Sequence, residues 1–181
     1  MTDAQIAVLS VTVVLVFWMV GAYNRLVALR NAIGQAWQLV DEVLGKRGEA
    51  VLPLVAALRG SLAGEQGALD ALLAAQARVR GAAEALRVRP VQEALAAALV
   101  AAESAMASAS SRVLALLEQQ AELRHDPAVA PDAAVLRDSA ARLAFARQLF
   151  NEAAAVYNAA VDQFPTRLLT SLFGFGSAGR I

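Results

Sequence analysis

The chain has 181 residues, enough for one domain, and 58% of them are hydrophobic, above the usual value of about 45–50%. Sixteen basic residues balance sixteen acidic ones; since nucleic-acid-binding proteins normally carry a basic excess, we expect no nucleic-acid partner. Cysteine is absent from the sequence, which excludes disulfide and thiolate chemistry and gives no indication of the redox compartment.

An apolar segment opens the chain, and residues 4–22 carry no charge. Twenty helical residues span roughly 30 Å, the thickness of the hydrocarbon core of a bilayer, so we predict a transmembrane anchor over residues 1–22. A buried core helix and a cleaved signal peptide are the alternatives. The second is disfavoured because no Lys or Arg precedes the apolar run and no A-x-A-like cleavage site follows it.

Two arginines, Arg25 and Arg30, follow the apolar segment, whereas none precedes it. The positive-inside rule then predicts a single-pass protein with its N-terminus outside and the rest of the chain in the cytoplasm. Trp18 and Tyr23 would lie at the interface where the helix leaves the bilayer, because amphipathic rings settle there.

The helix is expected to continue past the anchor with two distinct faces, since no proline occurs before Pro53. Pro53 is expected either to kink this helix or to end it near Val51. The face predicted to enter the protein core includes Leu29, Ile33, Trp37 and Val40. The opposite face carries uncharged amides at Asn24, Asn31, Gln35 and Gln38.

Three more helices are predicted in the rest of the chain. Glycines at 60, 64 and 67 indicate a turn, followed by helices over about 67–87, 91–124 and 133–164. The last of these has large residues every seven positions and small residues at an offset position, a pattern typical of coiled-coil-like packing between antiparallel helices. The large series is Leu136, Leu143, Phe150, Tyr157 and Phe164; the small series is Ser139, Ala146, Ala153 and Ala160.

Helices of comparable length joined by short turns favour an up-and-down arrangement. We therefore predict an all-α fold in which the transmembrane helix continues into an elongated antiparallel four-helix bundle over residues 23–164. This order returns the apolar tail, residues 165–181, to the bilayer. Its membrane contacts are expected to be Leu168, Leu169, Leu172, Phe173 and Phe175. The alternative is that these residues fold back and plug the base of the bundle, because amphipathicity does not distinguish a lipid from a protein partner.

Signals for catalysis are absent from the sequence. The single histidine, His125, lies in a proline-containing loop, and there is no Gly-rich phosphate loop, nucleophile elbow or H-E-x-x-H motif. We therefore expect no enzymatic activity, no metal or cofactor and no small-molecule substrate.

Amides on two helices allow two interpretations. Asn24, Asn31, Gln35 and Gln38 form a stripe just beyond the anchor, and Asn151 and Asn158 recur at a seven-residue spacing on the last helix. They could bond across helix seams or to water. Alternatively, they form a surface for self-association or for a partner.

Two blocks resemble the signature regions of the bacterial LemA family. They are "YNRLVALRNAIGQAWQLVDEVLGKR" (23–47) and "ARQLFNEAAAVYNAAVDQFPTRLLTSLFGF" (146–175). This chain has Phe150 where the family has its first Tyr of the second block and Ala140 where an acidic residue is usual, and residues 63–132 are unusually rich in Ala. The resemblance implies a membrane-anchored helical bundle, with no established enzymatic activity, linked to envelope stress, membrane organisation and neighbouring membrane proteins.

Our leading hypothesis is a non-enzymatic, single-pass scaffold of the bacterial inner membrane. Its partners would be the lipid bilayer and either further copies of itself, as a homo-oligomer, or other membrane proteins, and it would shape or organise the bilayer. The rival hypothesis is an adaptor or sensor that binds an envelope-stress protease or a signalling partner.

Overall fold

One long helix, α1 (Asp3–Ser61), forms both the apolar N-terminal segment and the first helix of the protein body. The computed structural model describes residues 2–167 and 173–181. Pro53 lies within α1, and the helix continues for two more turns beyond it, so the alternative of an end near Val51 is wrong. The apolar segment therefore joins the body through unbroken helix.

Shorter helices complete the fold. A 3-10 turn (Ala63–Glu65) precedes α2 (Gln66–Val88); then follow α3 (Glu93–Glu118), the single turn α4 (Ala121–Arg124) and α5 (Ala130–Asp162). The predicted helix over 91–124 is thus interrupted at Gln119 and Gln120, where a turn separates α3 from α4. No strand occurs in the part of the chain that the structure describes, and the fold is all-α.

Neighbouring long helices run in opposite directions. Arg87 at the end of α2 donates to Asp41 in the middle of α1 at 2.8 Å. Glu65, just before α2, accepts from Arg112 near the end of α3 at 3.2 Å. α1 packs along both α2 and α5, and α2 packs along α3. α3 therefore joins the other helices mainly through α2.

The core is richest where α1 meets α5. The rings of Trp37 and Phe150 meet edge-on with centroids 6.2 Å apart. Since such pairs add about 0.5–1.5 kcal/mol beyond simple burial, this contact stabilises the α1–α5 seam. The predicted core residues that are buried here are Ile33, Trp37, Val40, Leu143, Phe150 and Tyr157. Of the small seven-residue series, Ser139, Ala146 and Ala160 are buried beside them.

Two predicted core residues are not fully buried. Phe164 is 78% exposed, so its assignment to the core is wrong. The reason is that α5 ends at Asp162 and Gln163 is extended, with ψ 126°, which takes the chain off the helical path before the next seven-residue position. Leu29 is only half-buried and packs against the edge of the core.

Candidate membrane-proximal site

The apolar segment at the start of α1 is mostly exposed. Val8 is 67% and Phe17 is 74% exposed, and the 18-residue apolar window of this helix has none of its residues buried. Its two hydroxyls are satisfied within the helix, since Ser10 donates to the Ile6 carbonyl at 2.9 Å and Thr12 to the Val8 carbonyl at 2.8 Å. A helix that is apolar on all sides, with its polar groups bonded internally, suits a lipid environment.

A second helix, α3, also has the length and hydropathy needed to cross a membrane. A third of its apolar window is buried within the protein, and it packs along α2. It also carries Glu103 at the centre of the body, in an ion pair with Arg47. Packing within the protein therefore covers part of the apolar window of α3, whereas no residue in the apolar window of α1 is buried.

Aromatic rings surround the point where α1 leaves its apolar segment. The Tyr23 ring lies 5.3 Å from that of Phe173 and 5.8 Å from that of Phe175, edge-on in both cases. Phe173 is 47% exposed, Phe175 is partly buried against the core, and Trp18 is half-buried. The other expected membrane contacts, Leu168, Leu169 and Leu172, lie outside the described residues. The end of the chain thus returns to the start of the body.

Beyond Phe175 the tail runs back along α5. The Tyr157 hydroxyl donates to the Gly176 carbonyl at 3.0 Å. Asn158 donates to the Ala178 carbonyl at 2.9 Å and accepts from the Ala178 N–H at 2.7 Å. Asn151 does the same with Ile181, at 2.7 Å and 2.8 Å. Each asparagine amide thus pairs with both main-chain groups of one tail residue.

The opposite side of the tail contacts the start of α3. Ala178 forms an isolated antiparallel bridge with Gln92 and is 5% exposed. At Gly179, an added Cβ would lie 2.7 Å from the Ala96 Cβ and 2.7 Å from the Glu93 Cα, so only glycine fits. Residues 173–181 therefore fold back and cover this end of the body. This arrangement corresponds to the alternative in which the tail folds back and plugs the base of the bundle.

The two sets of amides differ in their surroundings. Asn151 and Asn158 are half-buried, and both amides bond to the chain's own tail. Sequence reasoning singled them out from their seven-residue spacing but did not identify this acceptor. The stripe on α1 lies open, because Asn24, Asn31, Gln35 and Gln38 are all exposed. Of the two sets, the α1 stripe is the one that is available at the surface in this arrangement.

A buried ion pair lies farther from the apolar segment. Arg47 and Glu103 are 5% and 6% exposed; Nη1 donates to Oε2 at 3.0 Å, and Nη2 donates to Oε1. Arg47 is the one charged residue on the apolar face of α1, and its sequence position gave no sign of its partner 56 residues away. Because the pair is bidentate and both charges are neutralised, it fixes α3 against α1.

Grooves flank the α5 helix on both sides. One, of about 810 Å³, lies between α1 and α5 and is lined by Leu39, Val135 and Phe145, among others. The other, of about 380 Å³, lies between α3 and α5 and is lined largely by Ala and Ser. These surfaces are open and mostly apolar.

Two ion pairs shift the pKa of one of their members. Lys46 lowers the pKa of Glu42 below its ordinary value through a hydrogen bond and its charge, and Asp41 raises the pKa of Arg87 in the same way. Both pairs lie at the surface. His125 is exposed, and residues 2–167 and 173–181 contain no cluster of three metal-ligating side chains.

A family model extends over most of these features. The model described as the LemA family matches residues 36–180, from the second half of α1 to the tail that lies on α5. No curated protein matches the chain.

Proposed function

Because this chain belongs to the LemA family, we propose that it is a non-enzymatic, single-pass membrane scaffold. In this proposal the first 22 residues cross the inner membrane with the N-terminus outside. The remaining helices form an elongated antiparallel four-helix bundle in the cytoplasm. The protein would act by self-association or by recruiting membrane proteins, and so organise the bilayer.

The unbroken α1 helix is the observation that carries this proposal. Its 59 residues correspond to a rod of roughly 88 Å, of which about 30 Å would lie in the hydrocarbon core. The same rod then supplies Ile33, Trp37 and Val40 to the core, so anchor and body share one rigid element. A helical junction restricts the angle between the body and the bilayer, whereas a flexible linker would leave that angle free.

The C-terminal tail also supports a fixed angle between the body and the bilayer. The contacts of Phe173 and Phe175 with Tyr23 join the end of the chain to the junction, and the asparagine pairs join it to α5. Fixed orientation is what a scaffold needs in order to present identical surfaces from many copies. The open grooves and scattered surface charges support a role in contact rather than in catalysis.

The test changes the junction while leaving the anchor intact. Inserting Gly-Gly-Ser-Gly after Ala22 breaks the rod; inserting four alanines at the same place preserves helix and turns the body by only about 40°. Both variants should remain in the membrane fraction. We expect the glycine insertion, and not the alanine insertion, to abolish association of differently tagged copies extracted in detergent and to remove the effect on membrane morphology. Equal behaviour of the two variants would refute the rigid-rod proposal.

The exposed amide stripe favours a second candidate, an adaptor that binds a membrane partner. Asn24, Asn31, Gln35 and Gln38 form a surface immediately beyond the proposed anchor, where a neighbouring membrane protein would meet it. Crosslinking in cells distinguishes the two functions. Capture chiefly of further copies supports the scaffold, and capture of one dominant foreign protein, lost when the four amides become Ala, supports the adaptor.

A further inference from the structure

The cleft between the start of α3 and the end of α5 recognises an extended main chain. Asn158 and Asn151 each bond to the N–H and the carbonyl of one residue, Ala178 and Ile181, at 2.7–2.9 Å. Each amide makes the two main-chain hydrogen bonds that a single strand residue makes to its neighbour, although the bonded residues are three positions apart and not two as in a regular strand. Together with the Gln92 bridge, it holds the tail from both sides.

Side-chain size adds specificity to this recognition. Ala178 and Ile181 are 5% and 8% exposed, so the cleft accepts a small residue and then an aliphatic one three positions later. Gly179 lies against Ala96 and Glu93 with no room for a Cβ. The bound sequence is therefore Ala-Gly-x-Ile. The cleft is a peptide-binding site that prefers this sequence.

The chain between α5 and the bound segment is much longer than the distance it has to cover. From Tyr157, which binds Gly176, to Asp162 at the helix end is only about 8 Å along α5. Residues 163–175 reach at most about 43–47 Å when extended. A helix with its side chains is about 10–12 Å across, so a body two helices wide measures roughly 20–25 Å, and this length suffices to reach the same cleft on an adjacent body.

We propose that copies of this protein exchange tails: residues 176–181 of one copy occupy the cleft between α3 and α5 of a second copy, with the contacts seen within one chain. The proposal rests on the self-association proposed above. Each copy has one tail and one cleft, so reciprocal exchange between two copies gives a closed dimer, and serial exchange gives larger rings or open chains. Residues 176–181 make the same contacts in either arrangement, and confinement of many copies to the membrane plane raises the concentration of neighbouring clefts that compete with the tail's own cleft.

A pair of single-cysteine variants tests exchange in the full-length protein. The sequence has no cysteine, so Gln92→Cys in one tagged copy and Ala178→Cys in a differently tagged copy are unique thiols. Bridged residues lie within disulfide range. After oxidation of membranes that hold both copies, we expect a disulfide-linked dimer that carries both tags. Placing both cysteines in one chain shows that the two thiols can react.

Two glycine variants provide the matched control. Gly179→Ala in the Ala178→Cys copy should abolish the two-tag dimer, because the new Cβ meets Ala96 and Glu93 at 2.7 Å. Gly176→Ala should leave it intact, because an added Cβ meets nothing within 4 Å there. A dimer that is insensitive to Gly179→Ala would mean that the tails do not enter the cleft.

Failure of exchange is distinguishable from failure of self-association. If copies with different tags co-purify but the disulfide forms only within the double-cysteine chain, exchange is refuted and the scaffold stands. If the copies do not co-purify at all, the self-association on which both proposals rest is refuted.

Discussion

α5 has two unlike neighbours. Toward α1 it presents the large and small seven-residue series, with Phe150 against Trp37 and Ala146 buried beside them. Toward α3 it packs far less closely, and polar groups make the connection instead. The tail joins the start of α3 to α5, and the Arg47–Glu103 pair joins the middle of α3 to α1.

The two seams contribute different properties. Apolar burial is roughly proportional to area and is not directional, so the α1–α5 seam supplies free energy without strictly defining the position of a third helix. Bidentate ion pairs and amide–main-chain pairs require specific geometry. We infer that the α1–α5 seam contributes mainly stability, and that the polar links define how α3, which packs along α2, lies relative to α1 and α5.

Removal of Phe150 breaks the apolar seam and has the largest expected effect. Phe150 is fully buried, and Phe150→Ala should lower the free energy of unfolding by about 3–5 kcal/mol, as large-to-small core changes do. Chemical unfolding in detergent, followed by circular dichroism, measures this. Phe145 lies five residues earlier on α5 and is 63% exposed, so Phe145→Ala should change stability by no more than about 0.5 kcal/mol. Equal losses of unfolding free energy in the two variants would mean that Phe150 is not part of the α1–α5 seam.

Removal of Arg47 breaks the buried ion pair and should cost nearly as much. Arg47→Ala leaves Glu103 buried without a countercharge, which typically costs about 3–5 kcal/mol. The same unfolding measurement applies. The double variant Arg47→Met with Glu103→Leu should recover most of this loss, because apolar residues of similar volume often replace buried pairs at no cost. If the double variant is as unstable as Arg47→Ala, packing rather than charge explains the site.

The contrast between the seams also explains what the sequence could predict. The α1–α5 seam depends on local periodicity, which is visible in one helix at a time, and Trp37, Leu143 and Phe150 follow from it. The seven-residue rule fails at Phe164 because the helix ends two residues earlier; Pro165 signals a helix end nearby but does not define the exact residue.

Polar links between distant segments have no local signal. Arg47 is a charge on an apolar face, but its partner lies 56 residues away and is one of several scattered acidic residues. Asn151 and Asn158 stood out by their spacing, yet their acceptors are main-chain atoms, which exist at every position. A tail bound through its main chain leaves almost no sequence signature except the requirement for Gly179.

Loss of one asparagine amide tests the tail alone. Asn158→Ala removes both hydrogen bonds to Ala178 and should weaken tail binding by about 1–2 kcal/mol, with little change in global unfolding. Hydrogen exchange at the Ala178 amide measures the local effect, and we expect it to accelerate. Asn31→Ala, at an exposed amide on α1, should leave that exchange rate unchanged. An unchanged rate in Asn158→Ala would show that the tail is held by side-chain packing instead.

The smallest effect is expected at Tyr157, which lies where the apolar seam meets the tail. Its hydroxyl donates to the Gly176 carbonyl at 3.0 Å, and Tyr157→Phe should cost about 1 kcal/mol. Burial raises the pKa of this phenol above its ordinary value of 10.0, although the charge of Arg30 opposes the shift.

This shift predicts a pH dependence with a definite sign. The folded-state pKa lies above the unfolded one, so the stabilising contribution of the neutral phenol is complete below pH 10 and is lost as the pH rises through the folded-state pKa. Unfolding of the wild type and of Tyr157→Phe, measured from neutral to strongly alkaline pH, should give a constant difference up to about pH 10 that then shrinks. A difference that stays constant throughout would mean that the Tyr157 hydroxyl remains in contact with water, and that the tail does not seal the end of the α1–α5 seam.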